Sequence, residues 1–167
     1  MTSNVLTVGR LQHELRQRKP FQGPAHEAVV ALMRTADLVR RRLAGVVEPH
    51  GITLQQYNVL RILRGGGPEG VPTLEVANRM VEQTPGITRL LDRLEAKGLV
   101  RRQRCPKDRR QHLCWITPSG SALLERLDAP VVAAGEASLK ALRHQERAGF
   151  IRLLDAIRSE HEPTNRG

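Results

Sequence analysis

Between Thr84 and Ile116 nine Lys or Arg residues stand against three acids, so this stretch carries +6 of the chain's formal charge of +10. The cations are Arg89, Arg93, Lys97, Arg101, Arg102, Arg104, Lys107, Arg109 and Arg110, and the acids are Asp92, Glu95 and Asp108. Guanidinium groups bind phosphate through paired hydrogen bonds and read the edge of guanine in the same way. The chemistry open to this set is the binding of a polyanion. A merely solvated charged surface is the plainer alternative, but here the charge coincides with a capped helix and a hairpin rather than a disordered run.

No other set of reactive residues competes. Cys105 and Cys114 are too few for a disulfide scaffold and lack zinc-ligand spacing. A hairpin centred on Arg109 and Arg110 would put them on facing strands, which leaves a redox-sensing regulator as an alternative, with Arg104 and Lys107 favouring a Cys105 thiolate. The six histidines include no H-x-x-x-H pair on one helix, so no metal site is expected. The glycines at 65–67 precede no Gly-Lys-Ser or Gly-Lys-Thr, so they read as a loop and not as a phosphate cradle. Without a nucleophile and base, or paired carboxylates, neither an enzyme nor a cofactor is expected.

The elements that must position the cations are legible in outline. Thr84 as N-cap, Pro85 at the first helical position, and Ile87, Leu90, Leu91 and Leu94 at i, i+3, i+4 and i+7 predict a helix, closed by Lys97 and Gly98. Its apolar face anchors it. Thr88, Arg89, Asp92 and Arg93 lie opposite, with Thr84 and Gly86 at the tip. Residues 99–105 and 111–117 read as two strands of a hairpin turning at Pro106, Lys107 and Asp108.

Upstream, Val29, Met33, Ala36, Val39, Leu43 and Val47 recur at helical steps over 25–47, and a second helix follows at 53–64. Thr73 is placed to cap a short third helix over 74–81. A short helix is also expected around Val8, Leu11 and Leu15. Downstream, Thr117 and Pro118 open a long helix through Leu123, Leu124, Leu127, Val131 and Leu139, which Pro130 should kink or interrupt. A last helix shows Phe150, Leu153, Leu154 and Ile157. Tyr57 and Trp115 read as packing residues.

Composition agrees. At 167 residues, 40% hydrophobic but only 2% aromatic, the chain suits one structural unit of helices packed through Leu, Val, Ile and Ala. A sequence pI near 11.1 favours nucleic acid or an anionic membrane as partner, and the clustering of charge favours nucleic acid. No apolar run approaches the roughly 20 residues that span a bilayer, and no signal-peptide core opens the chain, so a soluble, cytoplasmic protein is expected. The broad apolar stripes of the terminal helices exceed the core left for them to cover, which predicts a twofold homodimer.

The fold class expected is mainly α with a small β-hairpin wing: a winged helix-turn-helix lobe at 51–117 and a helical dimerisation region at 23–50 and 118–162, after a basic extension at 1–22. The order of elements resembles the MarR family of bacterial transcription regulators. The resemblance is carried by ITRLLDRLEAKGLVRR (87–102), DRR (108–110) and LCWITPSG (113–120) and covers roughly residues 25–160. It implies that the helix after Thr84 enters the major groove of double-stranded DNA while the hairpin reaches the adjacent minor groove.

On that reading Thr84, Pro85, Gly86, Thr88, Arg89 and Arg93 form the major-groove set. The family's Asp-any-Arg wing motif falls on Asp108, Arg109 and Arg110, with Arg110 inserted and Asp108 orienting it. Arg101, Arg102 and Lys107 are then phosphate neighbours. The resemblance further implies a dimeric repressor on a pseudo-palindromic operator, tuned by a small aromatic or phenolic effector. His26, Arg34, His50 and Tyr57 are the candidate residues for its pocket. A non-specific nucleoid-type protein is the remaining alternative.

Overall fold

The computed structural model describes residues 10–83, 85–106, 108 and 111–161. The described residues fall into two compact units that divide between Arg41 and Arg42. In the first, α1 (Arg10–Glu14) is followed by the start of α2 (Pro24–Val47). Asp37 of α2 accepts hydrogen bonds from Arg40 and Arg41, which hold its carboxyl below the usual range. Val29, Leu32, Met33 and Leu38 of this helix are exposed.

The second unit carries the core. After a 3-10 turn (Glu48–His50) come α3 (Leu54–Arg64), β1 (Val71–Pro72), α4 (Thr73–Asn78), α5 (Ile87–Ala96), β2 (Val100–Arg104), β3 (His112–Ile116), α6 (Pro118–Ser138) and α7 (His144–Ser159). The α3 start is a capping box: the Thr53 hydroxyl accepts from the Gln56 amide while the buried Gln56 side chain accepts from the Thr53 amide. The core gathers Val59, Leu60 and Leu63 of α3, Leu91 and Leu94 of α5, and Leu124 and Leu127 of α6. The stripe on α5 that the sequence marked is thus the stripe that is buried.

The strands form an antiparallel sheet in the order β1-β3-β2. β1 is an addition to the expected hairpin: Val71 and Pro72 pair with Cys114 and Leu113. This pairing takes Thr73 away from capping. Thr73 lies inside α4, its hydroxyl donates to the His112 carbonyl at 3.2 Å, and α4 begins after Pro72 without a side-chain cap. α4 also ends at Asn78, short of the expected Val81, whose amide is held instead by the Asn58 side chain at 2.8 Å.

Pro130 does not interrupt α6, which runs through it to Ser138. Its ring is on an exposed face, so the missing amide costs one solvated hydrogen bond in an otherwise anchored helix. α7 buries no residue: Ile151, Leu153 and Ile157 are exposed, as is Val132 of α6.

Arg64 of α3 clasps Asp128 of α6 through two hydrogen bonds of 2.7 and 3.0 Å, and this guanidinium keeps the Asp128 carboxyl below its ordinary range. A lowered native value means stabilisation present above the unfolded carboxylate range and lost as pH falls through the native one. Asp128→Asn is therefore expected to be less stable than the parent at pH 7, with a narrower gap at pH 2. Because the pair is partly exposed, the gap is small. Denaturant titrations at the two pH values measure it.

Candidate nucleic-acid interface

α5 stands with Leu90, Leu91 and Leu94 buried and Thr88, Arg89, Asp92 and Arg93 exposed. Its C-terminus follows the expected design. Gly98 takes a left-handed φ of 68°, its amide donates to the Glu95 carbonyl, and the Leu99 amide reaches back to Leu94 at 3.0 Å. These two bonds close the helix as a Schellman motif and turn the chain directly into β2.

The N-terminus departs from expectation. Gly86, not Thr84, is the N-cap, with φ 101° and no side-chain cap, and Pro85 precedes the helix in an exposed turn. The Gly86 carbonyl accepts from the Arg89 and Leu90 amides at 2.9 and 3.3 Å. A left-handed glycine two residues after Thr84 breaks the helical run that a Thr-Pro start would need. Thr84 lies outside the described residues.

β2 and β3 pair from Val100↔Ile116 to Arg104↔His112. Alternate residues of β2 face opposite ways. Arg101 is exposed, its guanidinium 4.0 Å from the Trp115 ring centre, and Trp115 is fixed in turn by donating to the Pro68 carbonyl at 2.8 Å. Stacking occupies one face of the guanidinium and leaves its edge for phosphate. Arg102 points the other way. Its Nε and Nη2 donate to Glu95 Oε2 at 2.9 and 2.7 Å, its amide donates to Glu95 Oε1 at 3.0 Å, and Nη2 also donates to Asp92. Desolvation works against the charged Arg102, but the two carboxylates outweigh it and raise its pKa.

The placement of Arg102 corrects the expectation of a phosphate neighbour: with 18% of its side chain exposed, it is committed to α5. The signal was present in the sequence as two acids one helical turn apart, Asp92 and Glu95, just before the glycine turn. What it required was the strand direction. Arg89, Arg93 and Arg101 have no acid partner among the described residues.

Lys107, Arg109 and Arg110 lie outside the described residues. Asp108 is half-buried, and its carbonyl accepts from the Gln111 amide at 3.0 Å. The register separates the two cysteines. Cys114 pairs with Arg102, whereas the Cys105 amide bonds to Gln111, three residues further along. That offset is roughly 10 Å along the strand, beyond the roughly 7 Å Cα separation that a disulfide tolerates. Cys114 is buried, and burial pushes its thiol pKa up, opposite to what a thiolate switch needs.

A groove of about 660 Å³ opens beside the tip of α5, between α4 and β3, lined in part by Pro72, Leu74, Asn78, Ile87, Thr88 and His112. Among the described residues no group of three or more His, Cys, Asp or Glu is placed to hold a metal, and no helix is long and apolar enough to cross a membrane.

Residues 50–111 match the sequence model of the MarR family. A crystal structure of a MarR transcription factor from Planctomyces limnophilus is 38% identical, covers 81% of this chain and 98% of its own, and superposes with a TM-score of 0.64. The chain belongs to the MarR family. The HTH-type transcriptional regulator PecS of Dickeya dadantii is 27% identical over 163 residues, 96% of this chain and 98% of that protein. A MarR family regulator from Streptomyces coelicolor solved in complex with DNA shares the fold, with a TM-score of 0.75 at 21% identity over 88% of this chain and 94% of that one. This MarR-family chain is thus a winged-helix transcription regulator and not an enzyme, with α4 and α5 as the helix-turn-helix pair and β2 and β3 as the wing.

The four candidate effector contacts of this MarR-family chain are dispersed over its elements. His26 and Arg34 lie on α2 in the first unit, where the His26 ring nitrogen accepts from the Gln22 amide and its ring packs edge-on to Phe21. His50 ends the 3-10 turn and is exposed, while Tyr57 on α3 is buried in the core of the second unit. The Arg34 Nε is buried and has no hydrogen-bond partner among the described residues, while its Nη1 lies 3.9 Å from the Asp37 carboxylate.

Proposed function

We propose that this MarR-family regulator represses transcription by binding a pseudo-palindromic operator as a homodimer. α5 lies in the major groove and the wing over the neighbouring minor groove. The observation that carries this is the sorting of charge at α5 and β2. The acids Asp92 and Glu95 are locked by Arg102, while Arg89, Arg93 and Arg101 stand exposed without acid partners among the described residues. Arg89 and Thr88, in the first turn of α5, are assigned to base edges, Arg93 and Arg101 to phosphates. Pro85 and Gly86 bring the backbone close, and Lys107, Asp108, Arg109 and Arg110 are assigned to the wing's part of the DNA contact, with Arg110 for the minor groove and Asp108 as its proposed orienter.

The uncovered apolar faces of α2 and α7 support pairing with a second copy, within a dimerisation region at 23–50 and 118–162. A twofold pair would set its two α5 helices about 34 Å apart, one turn of DNA. Charge and family membership support a cytoplasmic site of action. An aromatic or phenolic effector would act by favouring a spacing of the two α5 helices that mismatches the operator. His26, Arg34, His50 and Tyr57 are the residues proposed for its pocket.

Footprinting on fragments selected from genomic DNA by the purified protein tests the reading. One short palindrome is expected to be protected, with log affinity falling linearly in log salt at about −0.9 per phosphate neutralised. Uniform coverage would mark an architectural protein instead, and binding flat with salt would exclude a phosphate grip.

A further inference from the structure

We infer that Arg102 is a positioning residue that sets the angle of the wing against α5, through its clasp on Glu95 and Asp92. The inference rests on the DNA reading above and adds to it the part that fixes the geometry of the two reading elements. Three features support it. Arg102 spends its Nε, its Nη2 and its backbone amide on carboxylates of α5, so the strand is tied to the helix by main chain and side chain together. The tie lies at the middle of the β2–β3 pairing, opposite Cys114, which is buried. On the other face Arg101 stacks on Trp115, which is anchored outside the hairpin at Pro68. The two successive arginines therefore brace opposite faces of one strand.

The lever arm decides why the clasp matters. From Arg102 to Asp108 is six residues, of which only the first two steps lie in β2, so the span is at most roughly 20 Å at about 3.3 Å per residue. A change of about 10° at Arg102 would move Asp108 by up to roughly 3 Å, half the ~6 Å width of the minor groove the wing is proposed to enter. The clasp is also worth having only if it stays closed. Arg102 joins two carboxylates at once, and a guanidinium cannot lose its charge in the accessible pH range.

Arg102→Gln, with Arg101→Gln as the comparison, tests this in the full-length protein. For Arg102→Gln, operator affinity is expected to fall by about tenfold, the loss of a charge-assisted bidentate contact, while the salt slope stays that of the parent. Minor-groove protection at the flanks should disappear and central major-groove protection remain. Arg101→Gln should instead flatten the salt slope and keep both protections. Without DNA, amide exchange in 100–116 should speed up in Arg102→Gln while α3 and α6 keep their protection. A flattened slope with the footprint intact would make Arg102 a phosphate contact and overturn the inference. So would an unchanged affinity, or exchange that rises throughout the molecule, which would make the clasp a general brace of the fold. If the parent protects no DNA at all, the functional reading falls, and the exchange experiment still decides whether the clasp holds the wing.

Discussion

Leu94→Ala is expected to lower the unfolding free energy by about 3 to 4 kcal/mol, near the middle of the range for emptying a fully buried leucine site. Leu94 is 0% exposed and sits where α5 meets the core shared with α3 and α6. Two terms add. The transfer free energy of the lost carbons is forfeited, and the void they leave can close only if α5 moves. Movement is restricted here, because the Leu94 carbonyl accepts the Leu99 amide in the helix stop, and the next residues are committed to β2. The site can collapse little, which places the cost above the low end. Arg93→Ala, one residue away on the exposed face, should change stability by no more than about 0.5 kcal/mol. Chemical denaturation of the two variants beside the parent measures the contrast. Equal effects would mean that the buried and exposed faces of α5 are not those described.

Two Thr-Pro pairs show how much of this architecture the residues disclose and where local reading stops. At Thr117-Pro118 the rule holds: the Thr117 hydroxyl accepts from the Gly120 amide at 3.1 Å and the helix begins at Pro118. At Thr84-Pro85 the same letters fail, because the glycine comes one position earlier and takes a left-handed conformation. The difference is a competition between a cap and a glycine, and propensity alone does not settle it. Gly120 carries a second message that periodicity cannot carry. A β-carbon there would lie 2.4 Å from the Leu99 carbonyl oxygen, so its smallness lets α6 approach the sheet. At Gly70 a β-carbon would lie 2.4 Å from Trp115, the ring on which Arg101 stacks.

The candidate site divides along the same line. Faces of helices follow from spacing, so Thr88, Arg89 and Arg93 were readable as an exposed set and Leu90, Leu91 and Leu94 as a buried one. Pairings across the fold do not follow from spacing. That Arg101 and Arg102 have opposite duties depends on which face of β2 meets α5, and the same strand register separates Cys105 from Cys114. The two-residue β1 is invisible for a related reason: it exists only because β3 has an open edge for Val71 and Pro72 to join. Thr73 then loses its expected capping role to a neighbour 39 residues away.

Arg89→Ala is expected to weaken operator binding by about 30-fold or more while changing affinity for unrelated DNA only a few-fold. Arg89 is exposed in the first turn of α5, the end of a recognition helix that approaches base edges. A bidentate arginine contact to guanine discriminates by about 1 to 3 kcal/mol, and the proposed twofold complex would make it twice. Even the lower figure gives about 2 kcal/mol over both half-sites, roughly 30-fold. Random sequence offers no matched guanine, so there the variant loses only the general attraction of one charge per chain. Arg93→Ala should behave differently. One turn further along the exposed face it is assigned to phosphate, and its loss should weaken operator and random DNA alike, with a salt slope smaller by about 0.9 for each phosphate given up. The pair of variants separates reading from holding. Equal weakening on both DNAs by Arg89→Ala would move that residue to the backbone set, and would leave Thr88 and the glycine-capped tip of α5 as the parts that read sequence.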